Sequence, residues 1–393
     1  MKKFKSIELF SGAGGLAIGL HYAGCQHVAL IERDKDSCIT LKNNIEIAKS
    51  PYKNWKVINS DVNSIDYSCF TSKNINLIAG GPPCQPFSMG GKHKGNQDKR
   101  DMFPEAVRAV KEVKPLIFIF ENVKGLLRRS FATYYNYIIL QLTYPSVARR
   151  SNESWVEHLS RLEKIHTSNK VPDISYKVIY RLLNAADYGV PQIRNRVFIV
   201  GVRSDINLNW SFPEPTNSLD GLLFKQWVSG EYWENHKVSR KHIPTMPAKF
   251  KKRIEQMRVD YVNTAYPFDA WLTVRDAIGD LPDPRKKNNV LNHEFRDGAK
   301  IYPGHTGSLL DEPSKALKAG DHGVPGGENM VKLNDGSVRY YTVRESARIQ
   351  TFPDDYVFSI SWTESMRQLG NAVPVKLAEV VGKSVIKSVG EII

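Results

Sequence analysis

The chain is poor in cysteine and lacks any long apolar run. Only four of its 393 residues are cysteines, at positions 25, 38, 69 and 84, and no two form a C-x-x-C pair. We therefore expect neither a disulfide framework nor a metal site, and a reducing cytoplasm is the simplest compartment. No apolar run approaches the ~20 residues of a membrane span, and the basic N-terminus is not followed by the apolar segment of a signal peptide.

Acidic residues are scarce relative to basic ones. The 55 Lys and Arg against 41 Asp and Glu give a formal charge of +14 and a pI near 9.4. Such a charge favours a polyanionic partner, above all nucleic acid. The apolar fraction of 41% is that of an ordinary globular protein, and the length allows one large domain and a smaller one.

Short apolar runs alternate with amphipathic stretches over residues 1–125, which is the pattern of βαβ units around a parallel sheet. The predicted strands are Ser6–Phe10, Val28–Ile31, Lys56–Asn59, Ile75–Ala79 and Leu116–Phe120. A chemically useful group follows each strand in turn: a glycine loop, Glu32, Asp61, Cys84 and Glu121. Because ligands bind beyond the carboxyl ends of the strands in open α/β sheets, these groups predict one site.

The later elements are less regular. Trp155, Leu159, Leu162 and Ile165 have helical spacing and predict a packing stripe. Two strands, Ser175–Leu183 and Arg196–Val202, are expected to add to the sheet in antiparallel fashion. From Ser204 to Ser337 the alternation fades and Pro, Gly and basic clusters predominate. The α/β domain is thus predicted at 1–203 plus 356–393. An amphipathic helix over Val375–Val389 is expected to pack back on this domain. A smaller irregular domain with a hinge is predicted at 204–355.

The glycine loop Phe10–Gly15 (FSGAGG) follows a strand and opens a helix near Leu16–Ala23. Gly12, Gly14 and Gly15 let the backbone approach a ligand, and Glu32 lies where a carboxylate accepts hydrogen bonds from a ribose diol. This geometry suits NAD or any other adenosine cofactor. Asp61 is a candidate acceptor for an adenine amino group, or else a solvated loop carboxylate.

Cys84 stands in a rigid loop, Gly80–Ser88 (GGPPCQPFS), in which two prolines fix φ just before the sulfur. A nucleophile that must reach one carbon atom needs such presentation, whereas a buried structural cysteine does not. Glu121 ends the most apolar strand, so desolvation is expected to favour its protonated form, which can donate to a ring nitrogen. A carboxylate that caps a strand or helix end is the alternative.

Two further segments carry cationic groups. Gln192–Arg196 (QIRNR) places Arg194 and Arg196 on one face of an extended segment, able to grip a phosphate and a carbonyl oxygen, or simply to form surface salt bridges. Ser88–Arg100 is rich in glycine and lysine, and its composition suits a cationic loop that closes over a polyanion.

Six motifs together resemble those of DNA (cytosine-5) methyltransferases of the prokaryotic restriction-modification type, in the same order. They are Phe10–Gly15, Gly80–Ser88, Glu121–Val123 (ENV), Gln192–Arg196, Arg344–Pro353 (RESARIQTFP) and Gln368–Pro374 (QLGNAVP). The resemblance spans nearly the whole chain. It implies a Rossmann-like S-adenosylmethionine-dependent methyltransferase domain with a target-recognition domain, acting as a monomer on double-stranded DNA in the prokaryotic cytoplasm, associated with the nucleoid, with a restriction endonuclease as genetic companion.

The resemblance also implies residue roles. Phe10, Glu32, Asp61 and Asn371 would bind the cofactor, with the glycines of the loop. Cys84 would attack C6 of a flipped cytosine while Glu121 binds N3 and the amino group. Arg194 and Arg196 would support the base and its phosphate. Gln85, Ser88, Lys92 and Arg100 would touch DNA. The recognition sequence is not readable, and Tyr302–Met330 is the candidate reading loop.

Two departures from the family pattern stand out. Thr143–Asp173 resembles an insertion, and Arg33 occupies a position where some members place an aromatic against the cofactor. Three other functions compete. A tRNA cytosine-5 methyltransferase shares these motifs, but Cys69-Phe70-Thr71 lies on the wrong side of the Cys84 loop to be that branch's signature. A catalytically silent DNA-binding module would not need the reactive groups, and a dehydrogenase would explain only the glycine loop.

Overall fold

The alternating apolar runs of the N-terminal half form a seven-stranded sheet in the computed structural model. The structure describes residues 4–47, 50–83, 101–168, 172–261, 266–303, 305–320 and 329–392. Two units are distinguished, the first comprising Met1–Leu183, Asn195–Pro213 and Ala378–Ile393, the second Asn184–Arg194 and Glu214–Leu377. No helix among these described ranges is long and apolar enough to cross a membrane.

The first unit contains the sheet and its helices. Its strands are β1 (Phe4–Leu9), β2 (Cys25–Glu32), β3 (Val57–Asn59), β4 (Leu77–Gly80), β5 (Ile117–Val123), β6 (Tyr176–Asn184) and β7 (Asn195–Arg203). Its helices are α1 (Gly15–Tyr22), α2 (Lys35–Glu46), α3 (Phe103–Val113), α4 (Ala132–Thr143) and α5 (Trp155–Thr167). The strand order is β3-β2-β1-β4-β5-β7-β6, and β1 to β5 run parallel.

The predicted strands and their antiparallel neighbour are confirmed. β7 pairs antiparallel with β5, with Ile117 opposite Val202 and Val123 opposite Arg196. One core lies between the sheet and α3, α4 and α5, and it includes Leu9, Phe118 and Phe103. The stripe predicted on α5 packs against this core, with Leu159 and Leu162 buried. A continuous apolar strand such as β5 is what a sheet buried on both faces requires.

The second unit is more helical than the fading alternation predicts. Its helices are α6 (Leu219–Trp227), α7 (Glu231–Asn235), α8 (Lys251–Asp260), α9 (Val274–Ile278), α10 (Val343–Ile349), α11 (Trp362–Asn371) and the start of α12 (Val375–Gly390). Its short strands are β8 (Asn217–Ser218), β9 (Asp269–Ala270), β10 (Ser308–Leu309), β11 (Met330–Lys332) and β12 (Val338–Tyr340). Several small apolar clusters replace a single core, so no long periodic segment reveals the unit in the sequence.

The unit boundaries differ from the expected 203/204 and 355/356. Asn184–Arg194 belongs to the second unit, and the C-terminal return to the first unit comes only at Ala378. Asn184–Arg194 joins the second unit because its backbone bonds to that unit: the N–H of Ile193 donates to Ser314 O at 2.9 Å, and the N–H of Ser314 donates to Pro191 O at 2.9 Å. From Ala378 on, α12 packs on α1 as expected, because a Cβ at Gly382 would lie 2.8 Å from Leu20 Cδ2.

Gly201 is expected to be essential to the pairing of β5 and β7. It lies opposite Phe118, and an ideal Cβ there would stand 2.1 Å from Cζ of that ring. The ring is confined because it stacks on Phe120 and packs against Tyr176. Gly201→Ala should therefore lower the free energy of unfolding by about 1–3 kcal/mol in urea titrations. Gly390→Ala, where a Cβ meets no atom within 4 Å, is the control; equal losses in both would contradict this reading.

Candidate active site

The carboxyl ends of the parallel strands gather the predicted cofactor residues of the first unit. The glycine loop follows β1, Glu32 is the last residue of β2, and Asp61 lies two residues after β3. These strands are neighbours in the sheet, so the three groups line one edge. Glu121 is an exception to the expected placement: it lies within β5, which extends to Val123, and not beyond the strand.

Glu32 ties the glycine loop to the end of β2. Its Oε2 accepts a hydrogen bond from the N–H of Gly12 at 2.8 Å, and its Oε1 accepts one from the N–H of Asp34 at 2.7 Å. Gly12 has a φ of 51°, and no atom of the described residues lies within 4 Å of an added Cβ, so this part of the chain leaves the loop open on that side. Each carboxylate oxygen keeps a second lone pair, which fits a ligand diol at this position.

The loop backbone is bent at Phe10 and Gly14 as well. Phe10 adopts a φ of 57°, a left-handed conformation rare for a bulky residue, and Gly14 has a φ of 87° at the N-cap of α1. As a glycine, the N-cap residue Gly14 provides no side-chain acceptor for the helix start. The positive end of the helix dipole of α1, at Gly15, therefore adjoins the loop.

Asp61 is held as an oriented carboxylate. Its Oδ1 accepts hydrogen bonds from the backbone and side chain of Asn63 at 2.9 and 2.7 Å, and its Oδ2 accepts one from Arg33 at 3.2 Å. The backbone N–H of Asn63, more than Arg33, lowers the pKa of the Asp61 carboxyl. Arg33 thus has a partner that the sequence did not suggest, and Asp61 is available as an ionised acceptor.

Glu121 and Arg196 form a buried ion pair. Arg196 Nε lies 2.6 Å from Glu121 Oε1, and the two side chains are 14% and 9% exposed. The antiparallel register that puts Arg196 opposite Val123 brings the two charged groups together. Burial lowers the pKa of the Arg196 guanidinium, and Glu121 opposes that shift. Because the guanidinium favours the carboxylate form, protonation of Glu121 near neutrality stays a prediction.

The segment leading to Cys84 lies beside this pair. A Cβ on Gly81 would stand 3.4 Å from Glu121 Oε2, and Asn122 Nδ2 donates to Pro82 O at 2.9 Å. The N–H of Met102 donates to Pro83 O at 3.3 Å. Asn122 was missed in the sequence reasoning, although it stands inside the ENV motif. Cys84, Gln85, Ser88, Lys92 and Arg100 lie outside the described residues, as do parts of Tyr302–Met330.

Arg194 and Asn371 belong to the second unit. The Arg194 guanidinium is 1% exposed and donates to three main-chain carbonyls, those of Leu317, Gly370 and Ala372. Asn371 is the exposed last residue of α11. The two arginines of the QIRNR motif therefore have different environments, and a catalytic contact of Arg194 stays a prediction.

Glu8, inside β1, is a buried acid that the sequence did not lead us to expect. The feature that could have identified it is a charged residue within an apolar strand. Its side chain is 1% exposed, and its Oε2 has no hydrogen-bond partner among the residues that the structure describes. Burial raises the pKa of its carboxyl well above the usual value, although the N–H of Ala17 in α1 opposes the shift. Glu8 thus meets an N–H that the uncapped start of α1 leaves without a helical partner.

Comparisons with known proteins identify a family for this chain. The family model described as C-5 cytosine-specific DNA methylase matches residues 4–144 and 156–387. The unmatched stretch 145–155 is shorter than the expected insertion at Thr143–Asp173, whose helix α5 lies mostly within the match.

Curated relatives cover almost the whole chain. The type II methyltransferase M.NgoMIV of Neisseria gonorrhoeae is 33% identical over 98% of this chain and 98% of its own length. M.PspPI of Psychrobacter is 31% identical over 98% of this chain and 80% of its own. Two solved structures share the fold at a TM-score of 0.57: an Escherichia coli prophage DNA modification methyltransferase described as putative, at 20% identity, and a Spodoptera frugiperda DNMT2 mutant, at 17%. They cover 98% of this chain and 99% of theirs.

The buried acid makes stability depend on pH. Since the folded-state pKa of Glu8 is raised, the folded protein keeps a proton that the unfolded chain releases, and stability is lost as pH rises toward the folded pKa. Glu8→Gln has no proton to lose. The difference in free energy of unfolding between Glu8→Gln and the wild type should therefore shift in favour of the variant, by up to about 1.4 kcal/mol per pH unit above the unfolded pKa. Urea titrations from pH 5 to 8 measure this; a constant difference would contradict it.

Proposed function

The chain belongs to the C-5 cytosine-specific DNA methylase family, and from that premise we propose that it methylates carbon 5 of a flipped-out cytosine in a specific double-stranded DNA sequence. The observation that carries the proposal is the buried Glu121–Arg196 pair beside Gly81, three residues before Cys84. An acid or carboxylate fixed next to a nucleophile loop is what addition to a pyrimidine ring requires.

The cofactor proposed is S-adenosylmethionine, which supplies the methyl group. The residues fit an adenosine ligand: Glu32 keeps acceptor capacity for a ribose diol, Asp61 is an oriented acceptor for an adenine amino group, and the loop at Gly12 is open. Phe10 and the backbone at Gly14 and Gly15 would complete the loop's contacts. Asn371 is proposed as a further cofactor residue from the second unit.

The proposed reaction begins with the base out of the helix, because neither face of its C5–C6 bond is reachable in a stacked duplex. The Cys84 thiolate forms a bond to C6, and the electron pair of the C5–C6 double bond is directed to C5. Glu121 holds the proton at N3 and accepts from the exocyclic amino group. After C5 has been methylated, a base removes the C5 proton, the double bond re-forms, and the Cys84 thiolate leaves.

Arg196 has a defined part in this scheme. It holds Glu121 Oε1 at 2.6 Å, while Oε2 lies toward Gly81. The carboxyl group therefore has one orientation before any base arrives, which removes the cost of ordering it in the transition state. We propose that Arg196 also binds the carbonyl oxygen of the pyrimidine by a charge-assisted hydrogen bond.

Double-stranded DNA is the proposed partner, and the charge of +14 supports it. In the second unit Lys249, Lys251 and Lys252 are exposed around the start of α8, as phosphate contacts would require. Gln85, Ser88, Lys92 and Arg100 are proposed to contact DNA near the target base. The relatives are named type II methyltransferases, so we propose a cytoplasmic, monomeric enzyme whose genetic companion is a restriction endonuclease.

Action on tRNA is the less favoured alternative. Cys69-Phe70-Thr71 has a packing explanation, because Phe70 is buried in the first unit's core and Thr71 bonds to Ser68 O at 2.8 Å. Three relatives that share 31%, 32% and 33% identity with this chain are named type II methyltransferases.

A covalent trap tests the nucleophile. The substrate is a long plasmid duplex copied with 5-fluorodeoxycytidine triphosphate, which is long enough to include the recognition sequence whichever bases compose it. In this substrate C5 carries fluorine in place of the proton that must be lost in the last step. With S-adenosylmethionine present, a denaturant-stable protein–DNA adduct should therefore accumulate. Cys84→Ser should form none, whereas Cys69→Ser, which alters an exposed cysteine, should form it normally. An adduct in Cys84→Ser would refute the assignment.

The role of Glu121 is tested by the isosteric change Glu121→Gln. The amide cannot supply the proton, so turnover on duplex DNA should fall by about 100-fold or more, while the dissociation constant of S-adenosylmethionine stays within about twofold. Glu153→Gln is the matched control, since Glu153 also pairs with an arginine, Arg161, at 2.6 Å in the first unit. Equal losses of turnover and cofactor affinity in Glu121→Gln would contradict the role.

A further inference from the structure

The C-terminal end of α11 is closed by side chains from distant parts of the chain. Arg194 Nη2 donates to Gly370 O at 2.6 Å and to Ala372 O at 3.1 Å, and its Nη1 donates to Leu317 O at 2.8 Å. Gln350 Nε2 donates to Leu369 O and, at 3.2 Å, to Ala372 O. The last carbonyls of a helix have no helical partner, and a cation is favoured at this end of the dipole. Arg194 satisfies both requirements.

Two of the three carbonyls that Arg194 binds belong to the residues on either side of Asn371. The guanidinium thus holds the peptide plane before Asn371, through Gly370 O. The plane after Asn371 is held by the N–H of Ala372, which donates to Gln368 O at 3.0 Å, while Asn371 itself is exposed. Gly370 adds a second constraint, because a Cβ there would stand 2.2 Å from the N of Ala319. The main chain at Asn371 consequently has little freedom, and the direction of its side chain is set by buried groups.

Arg194 is itself held in place within the same network. Gln192 Nε2 donates to Gln350 Oε1 at 2.9 Å, and Gln192 Oε1 accepts from the N–H of Leu317 at 2.9 Å. All these groups are buried. A guanidinium that meets three carbonyls at 1% exposure would have to break those hydrogen bonds to reach a DNA base or phosphate.

We propose that Arg194 is a positioning residue for Asn371, acting on cofactor binding and not on the base. The inference rests on the proposed function, in which Asn371 contacts S-adenosylmethionine. It separates the two arginines of one motif: Arg196 serves the reacting base through Glu121, and Arg194 serves the cofactor through the end of α11.

The test is a double-mutant cycle on the full chain, with the dissociation constant of S-adenosylmethionine measured by calorimetry. Arg194→Lys keeps the charge but loses the planar fork of donors. It should weaken cofactor binding by about tenfold, while kcat at saturating cofactor and plasmid DNA stays within about twofold. In the Asn371→Ala background the same change should have almost no further effect, because there is no side chain left to orient.

Arg344→Lys is the matched control. Arg344 is also 1% exposed in the second unit and donates to three carbonyls, those of Leu291, Pro353 and Tyr356. It should lose stability without losing cofactor affinity. Gln350→Met, which removes the second set of donors to the end of α11, should weaken cofactor binding as Arg194→Lys does, and it provides an independent test if Arg194→Lys folds poorly.

Three results would overturn the inference. Independent, additive losses of cofactor affinity in Arg194→Lys and Asn371→Ala would show that Arg194 does not act through Asn371. A loss of kcat with unchanged cofactor affinity would assign Arg194 to the base instead. Equal effects of Arg344→Lys and Arg194→Lys on cofactor affinity would reduce the effect to general destabilisation. Failure of the wild-type chain to bind S-adenosylmethionine would instead refute the proposed function itself, and this inference with it.

Discussion

The antiparallel pairing of β5 with β7 is the constraint on which the candidate active site depends. It places a carboxylate and a guanidinium 2.6 Å apart in a largely buried position. Two charges removed from water in this way are costly to separate, because each would be left without its partner. The pairing therefore gives Glu121 a single orientation, and Gly81 and Pro82 bring the segment before Cys84 against the same group.

Helix ends provide the other recurring device. At the start of α1 the glycine N-cap provides no side-chain acceptor, and the buried Glu8 carboxyl group accepts from the N–H of Ala17. At the end of α11 the orphan carbonyls are taken by Arg194 and Gln350. At both helix ends, backbone groups without a helical partner form hydrogen bonds to buried side chains. The residues proposed to hold the cofactor are thus placed by helix termini and strand ends, which are rigid elements.

Much of the first unit was predictable because its signals are local. Strands β1 to β5 are short apolar runs bounded by turn residues, and each was placed within a few residues of its observed bounds. Glu121 was expected beyond its strand, since nothing local shows that pairing with β7 prolongs β5 to Val123. Arg194 and Arg196 look equivalent in the sequence, and only contacts with distant residues distinguish them: Arg194 binds carbonyls more than 120 positions away, and Arg196 pairs with Glu121. The second unit, with several small cores, offered no comparable periodicity.

The central claim is methylation of carbon 5 of cytosine in duplex DNA. The most direct measurement is incubation of plasmid DNA, or of tRNA, with S-adenosylmethionine carrying an isotopically labelled methyl group, followed by digestion to nucleosides and mass spectrometry. The account predicts that the label appears in 5-methyldeoxycytidine from the duplex and is absent from tRNA. Label confined to tRNA, or found in DNA only on the exocyclic amino group of cytosine or adenine, would contradict it.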